Sequence, residues 1–211
     1  MTVKMKRNIL EKHVYYYENV IENPKRLIEQ IEDIDHLLSD ETGVSKWADW
    51  TAYQSTYAFG KQKMIREHLF NKNHPVYNEC RAIEKEITDS IIAVSKDYES
   101  MHPGLDIGML CPLSISKYFV GSQMGKHTDT HDDDEGKTIS VVLYLNDDYT
   151  GGEIELPDHN IMVKPTPGSI VVFPSRKPYF HQSNLVTLGE KYIVPGFWEN
   201  RVKFQTGWTN G

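Results

Sequence analysis

Apolar and polar positions change their rhythm near residue 100. Before it, apolar residues return mostly at helical spacing. Leu27, Ile28, Ile31, Ile34, Leu37 and Leu38 form one stripe, the pattern of a helix buried along one face. Asn23 offers a cap for it, and Pro24 suits the first helical position, where a missing N–H costs nothing. Val76, Cys80, Ile83, Ile87, Ile91 and Val94 form a second stripe. It predicts a helix starting at Asn73 or His74, with Pro75 just inside. Between the stripes lies Lys46-Trp47-Ala48-Asp49-Trp50, followed by Tyr53 and Tyr57. The tryptophans read as packing residues, with an aromatic lip over a pocket as the alternative.

After residue 105 the pattern shortens into β-rich runs: Leu113–Val120, Thr138–Asn146, Glu153–Leu156, Ile161–Val163, Ser169–Phe173, Tyr179–Gln182 and Lys191–Trp198. Gly151-Gly152 and Pro167-Gly168 punctuate them as turns. Short strands with no helix between them predict an antiparallel sandwich or jelly roll, mainly β, with the N-terminal helices packed on one sheet. The chain is long enough for one sizeable core. The expected organisation is therefore one domain over 1–211. Residues 1–104 supply helical support and flanking strands, and 105–200 the β core.

Composition narrows the function classes. Apolar content of 39% and charged content of 25% are ordinary for a globular protein. A net charge of -7 argues against a general nucleic-acid backbone binder. No apolar run approaches the ~18 residues of a membrane span. The basic start, Met1 to Arg7, is not followed by a signal-like apolar segment. Two cysteines, Cys80 and Cys111, are too few for a disulfide framework, so a reducing cytoplasm is expected. Nothing in the pattern fixes an oligomeric state.

The chemistry concentrates in His127-Thr128-Asp129, His181 and Lys191. At strand spacing, His127 and Asp129 would emerge on one face. Two imidazoles and one carboxylate suit non-heme Fe(II) and leave coordination positions open. A closed zinc site would need four protein ligands. His131-Asp132-Asp133 is a second His-x-Asp, but it sits in an acidic run, Asp132 to Glu135, that reads as a solvated loop. For the third ligand His159 competes with His181. His159 lies in a turn-like Pro-Asp-His-Asn segment, whereas His181 lies in an expected strand. His13, His36, His68, His74 and His102 read as surface or packing residues. Lys191 enters an apolar strand at once, and a buried ammonium needs an anion. The stretch Gly121–Gly125 and the acidic loop 130–136 have the composition of lids.

Read together, residues 110–199 resemble the Fe(II)/2-oxoglutarate-dependent dioxygenases, in their prolyl 4-hydroxylase-like branch. Tyr118 upstream of His127, the segment Thr138 to Asp147, Gly151-Gly152-Glu153 and Pro167 to Pro174 match that branch in order. The N-terminal run Tyr15-Tyr16-Tyr17 to Pro24 resembles its small microbial or phage-encoded members. The resemblance implies a double-stranded β-helix holding Fe(II) on His127, Asp129 and His181. It implies 2-oxoglutarate as cosubstrate, held at its distal carboxylate by Lys191 with Tyr118 and Tyr144 as hydroxyl donors. It also implies O2, and ascorbate as an auxiliary reductant. The implied reaction hydroxylates a C–H bond and releases succinate and CO2.

The departures fall on the substrate side. Met124 stands where collagen-type enzymes carry tyrosine, and Lys137 where prolyl hydroxylases carry a substrate-contacting arginine. Phe197, followed by Trp198, replaces a tryptophan, and Ile154 replaces the threonine of the family's turn. Met124, Lys137, Phe197 and Trp198 are therefore the candidate substrate residues. The expected substrate is a prolyl residue in a peptide or protein. A free amino acid or other small molecule is the alternative within the class, and a non-catalytic jelly-roll binding module is the alternative outside it. No nucleic acid and no membrane is expected as partner.

Overall fold

The computed structural model describes residues 5–42, 47–51, 58–64, 73, 75–130 and 137–199. His68, His74, Tyr53, Tyr57, His131 and the acidic run 132–135 lie outside the described residues, as do the side chains of Leu38 and Trp50.

The first expected helix is α1 (Pro24–Thr42), and Asn23 Oδ1 accepts the Arg26 N–H at 3.2 Å. The second, α2 (Tyr77–Ser100), begins later than its apolar pattern predicts. Val76 is its cap, and its carbonyl accepts the Cys80 N–H at 2.9 Å, so Pro75 lies outside the helix.

The region before residue 100 is less helical than its pattern suggests. Four strands lie there: β1 (Lys6–Glu11), β2 (Val14–Glu18), β3 (Ala48–Thr51) and β4 (Ala58–Met64). After α2 come β5 (Met109–Leu110), β6 (Ser114–Tyr118), β7 (Gln123–His127), β8 (Lys137–Tyr144), β9 (Thr150–Gly151), β10 (Ile154–Leu156) and β11 (Ile161–Val163). They are followed by β12 (Ser169–Pro174), β13 (His181–Ser183), β14 (Val186–Leu188) and β15 (Lys191–Glu199). Neighbouring strands run in the order β1-β2-β12-β8-β15-β6-β4-β7-β13-β10-β11, all antiparallel, and β14 pairs separately with β9. The middle strands (β6, β8, β15) and the later ones (β7, β10, β13) line one cavity. The path therefore curls over on itself into the two facing sheets of a double-stranded β-helix, the fold class expected from the sequence.

Alternation along the strands explains why both faces fill. Side chains of a strand point to opposite faces at period two. Ile139, Val141 and Leu143 of β8, Ile170 and Val172 of β12, and Tyr192 and Val194 of β15 share one core with Leu27, Ile31, Ile87 and Ile91 of the helices. Their neighbours Tyr144, Val171, Phe173 and Ile193 form a second core inside the barrel. Tyr15 and Tyr17 join the first core and Tyr16 the second. Gly196 is the thin point of the first layer. A Cβ there would stand 2.9 Å from Val141 and 3.0 Å from Leu113. No helix among the described residues is long and apolar enough to cross a membrane.

Candidate metal centre

Strand pairing delivers the two histidines. β13 runs antiparallel to β7 with His181 directly opposite His127, and the ring centroids stand 4.3 Å apart. His127 Nδ1 lies 2.7 Å from the Gly125 carbonyl, and His181 Nδ1 lies 3.3 Å from the Tyr179 carbonyl. A carbonyl only accepts, so each Nδ1 carries the proton and each Nε2 presents its lone pair.

Asp129 reaches the same point by another route. β7 ends at His127, so Asp129 does not share its strand face as the i, i+2 spacing predicts. The chain bends instead, and the Asp129 and Thr130 N–H groups both bond to the Ser175 carbonyl, at 3.0 and 3.2 Å. The bend brings Asp129 Oδ1 to 3.5 Å from His127 Nε2 and Oδ2 to 3.4 Å from His181 Nε2. Ser140 Oγ donates to Oδ2 at 2.5 Å and lies 2.8 Å from Ser175 Oγ. Burial opposes the Asp129 charge, but His127, His181 and Ser140 outweigh it and hold the carboxyl below its usual range. Burial lowers the His181 pKa, so its imidazole is neutral at neutral pH. At His127 burial also favours the neutral ring, but Asp129 reverses the sign and raises its pKa.

These residues fit a divalent metal. One donor atom from each of His127, Asp129 and His181 lies within 4.8 Å of the others. Among the described residues no other such group of three or more occurs. Two imidazoles and one carboxylate on one side of an open cavity are the donor set that suits non-heme Fe(II). Thiolates are absent from it, and a structural zinc site would want a fourth protein ligand.

Lys191 lies in the same cavity and is fully buried. Its Nζ donates to the Gly152 carbonyl at 2.6 Å and to Ser183 Oγ at 2.7 Å. The rings of Tyr118 and Tyr144 flank it at 4.9 and 5.5 Å to their centroids. Burial pushes its pKa down to about 7, partly offset by Glu153. A bound carboxylate would favour the ammonium form again.

The remaining expected residues divide. Met124, Lys137 and Phe197 line the cavity, and Lys137 Nζ lies 4.1 Å from the centre of the Phe197 ring. Trp198 does not belong with them. It is buried in the helix-covered core and donates from Nε1 to Ser95 Oγ of α2 at 2.8 Å. Neighbours on a strand face opposite ways, so Phe197 and Trp198 cannot both enter the cavity. His159 lies away from the triad, paired with Glu11 and stacked on Tyr179 at 4.6 Å. It is half-buried rather than exposed. His13 and His102 pack with Tyr15, Tyr98 and Tyr179, and His36 is exposed. Trp47 packs on Tyr192 at 6.1 Å and does not line the cavity. Of the Gly121–Gly125 stretch, residues from Gln123 onward belong to β7, and the acidic loop lies outside the described residues except for Thr130.

Ser114, Ser116, Ser140 and Ser183 also belong to the site or its support. Serines inside strands carry no motif. Their only signal is phase: Ser114, Ser116 and Tyr118 fall on one face of β6, as do Lys191, Ile193, Pro195 and Phe197 on β15.

Comparison with known proteins agrees with this geometry. Residues 113–199 match the family model described as the 2OG-Fe(II) oxygenase superfamily. A PKHD-type hydroxylase of Prochlorococcus marinus is 32% identical over 94 residues, a match covering 42% of each protein. The chain thus spans less than half the length of this curated relative. A prolyl hydroxylase of Trichoplax adhaerens, solved with a hypoxia inducible factor peptide fragment, superposes with a TM-score of 0.63. That match covers 96% of this chain and 86% of that one, at 13% identity. A Pseudomonas putida prolyl-4-hydroxylase gives 0.57 at 19% identity, covering 90% and 93%. At these identities the two structures speak for the fold alone. The chain is thus similar to the 2OG-Fe(II) oxygenase superfamily over residues 113–199, the segment that carries His127, Asp129 and His181.

Proposed function

We propose that this chain is an Fe(II)- and 2-oxoglutarate-dependent dioxygenase that hydroxylates a C–H bond, with a prolyl residue of a peptide or protein as substrate. The observation that carries the reading is a fully buried lysine, Lys191, in the same cavity as two histidines and a carboxylate. Neither feature serves packing. An unpaired buried ammonium is costly, and an anionic ligand relieves that cost.

His127, Asp129 and His181 would hold the iron, and Lys191 the distal carboxylate of the cosubstrate. Tyr118 and Tyr144 would wall the cosubstrate pocket. When bound, iron and 2-oxoglutarate supply the oxidising power to hydroxylate an unactivated C–H bond, with succinate and CO2 as co-products. The chain itself orients and excludes. Ser140 fixes Asp129, and the carbonyls of Gly125 and Tyr179 fix the two rings. Met124, Lys137 and Phe197 would meet the substrate.

A peptide substrate draws support from the Trichoplax neighbour, whose structure carries a peptide fragment. A free amino acid remains a specific second reading, because the cavity holds about 300 Å³. That volume sits at the small end of ligand pockets. Two free cysteines are compatible with a reducing compartment such as the cytoplasm.

Anaerobic Fe(II) titration, with and without 2-oxoglutarate, tests the class. A visible charge-transfer absorption on adding cosubstrate is expected, and its absence would sink the reading. Succinate formation is then followed with proline-containing peptides and with free amino acids. Coupling to free amino acids alone would overturn the peptide assignment. Ascorbate in the same assay is expected to prolong turnover without changing the product.

A further inference from the structure

The His181 ring depends on the longer of the two carbonyl bonds. His127 Nδ1 has its acceptor at 2.7 Å, whereas the Tyr179 carbonyl stands 3.3 Å from His181 Nδ1, beyond the ~3 Å usual for such a bond. A small shift of Tyr179 would break it. The backbone gives Tyr179 little hold. Residues 176–180 lie outside any strand, and the Tyr179 N–H bonds to the Arg176 carbonyl of its own turn at 3.0 Å. The side chain is gripped more firmly. The His159 ring stacks on it at 4.6 Å with only 5° between the planes, and His13, from the turn between β1 and β2, meets it edge-on at 6.2 Å.

His159 belongs to a single turn of 3-10 helix, Pro157–His159, between β10 and β11. Its side chain is only 10% exposed, and its Nδ1 is paired with Glu11 Oε2 of β1. The pair joins the two ends of the strand path, β1 and the β10–β11 hairpin. Its Nε2 is buried, with no hydrogen-bond partner among the described residues. An unsatisfied buried nitrogen is a cost, so packing alone does not account for a histidine here. The preceding residue, Asp158, accepts from Lys126 Nζ at 2.5 Å, next to His127, but that pair is exposed and contributes little.

We propose that His159 is a positioning residue for the metal centre: its stack on Tyr179 holds the carbonyl that orients His181, and Glu11 anchors the stack from β1. The assignment rests on reading His127, Asp129 and His181 as an iron site. A carbonyl behind a ligating imidazole fixes its tautomer and the direction in which Nε2 points. Two flat rings in contact fix distance and plane together, which an aliphatic neighbour of equal bulk does not. His159 competes with His181 for the third ligand place in the sequence. In the fold it serves His181 instead.

The test compares His159→Leu with His159→Phe in the full chain. Both fill the space and lose the Glu11 pair, but only phenylalanine keeps a flat ring over Tyr179. Fe(II) dissociation constants are read by anaerobic equilibrium dialysis, and thermal midpoints are taken on the metal-free proteins. His159→Leu is expected to weaken Fe(II) about tenfold, as the loss of an outer partner of a metal ligand does. His159→Phe is expected to bind as the parent does, with a midpoint close to that of His159→Leu. Glu11→Ala is expected to weaken Fe(II) in the parent and to change nothing in the His159→Phe background, because it acts through the histidine. Equal Fe(II) affinity in the Leu and Phe variants, whether weakened or at the parent level, overturns the assignment. A parent protein that binds no Fe(II) overturns the metal reading itself, and so separates the two failures.

Discussion

His127 and His181 face each other across β7 and β13, and Asp129 closes the triangle from a bend beyond the strand. The histidine pair is fixed by strand register, since a slip of one residue would turn one ring to the opposite face. The carboxylate is fixed by hydrogen bonds instead, to Ser175 through its backbone and to Ser140 through its side chain.

Removing the carboxylate tests the centre without dismantling the fold. Asp129→Ala is expected to abolish Fe(II) binding in an anaerobic titration and with it 2-oxoglutarate turnover. Far-UV circular dichroism is expected to be unchanged, because the bend is held by backbone bonds to Ser175. Retained iron affinity would reopen the non-catalytic jelly-roll reading.

Ser140 touches no substrate and acts by aiming Asp129. Loss of such an outer hydrogen bond typically weakens a metal site about 10- to 100-fold. Ser140→Ala should therefore raise the Fe(II) dissociation constant by that order while leaving the 2-oxoglutarate dependence of the loaded protein nearly intact. An unchanged metal affinity would show that the backbone bend alone positions the carboxylate.

Lys191 gives the free protein a pH signature. Burial lowers its pKa from 10.5 to about 7, so between these values the unfolded chain binds more protons than the folded one. Stability then rises with pH across that window. Buried tyrosines with raised pKa values, among them Tyr118 and Tyr144, pull the other way above their ordinary value of 10.0. Thermal midpoints from pH 7 to 9 should therefore climb in the parent and flatten in Lys191→Met. Saturating 2-oxoglutarate should flatten the parent as well, by keeping the ammonium charged.

Phe197 and Trp198 are adjacent in sequence and should separate completely in assay. Trp198→Phe leaves Ser95 Oγ without its indole donor and should cost about 1–2 kcal/mol of stability by chemical denaturation. Its KM values should stay at the parent level. Phe197→Leu removes the ring beneath Lys137 and should raise the KM of the prime substrate several-fold with little loss of stability.

The barrel strands were readable because β8, β12 and β15 carry long apolar runs between clear turns. The early strands were expected only as flanking strands without positions. β1 is exposed along almost its whole length, and its two apolar residues, Ile9 and Leu10, are adjacent, so it has no apolar alternation to detect. β2 is buried on both faces, and its three tyrosines give no alternation. β7, Gln123–His127, is only half-buried and hid inside a loop-like glycine segment. The triad residues and Lys191 were legible from spacing, but the bend that delivers Asp129 depends on Ser140 and Ser175, far along the chain. Trp198 was misplaced because an aromatic pair was read as one feature, when strand geometry sends its members to opposite faces.

The alternation along β15 has an evolutionary reading. Lys191, Ile193, Pro195 and Phe197 look into the cavity, whereas Tyr192, Val194, Gly196 and Trp198 look toward the helices. Mutations that retune what enters the barrel and mutations that threaten its survival fall on different codons of one short segment. A lineage could change its substrate at the far end of this face, around Phe197, while leaving Lys191 and the intervening helix-facing residues untouched.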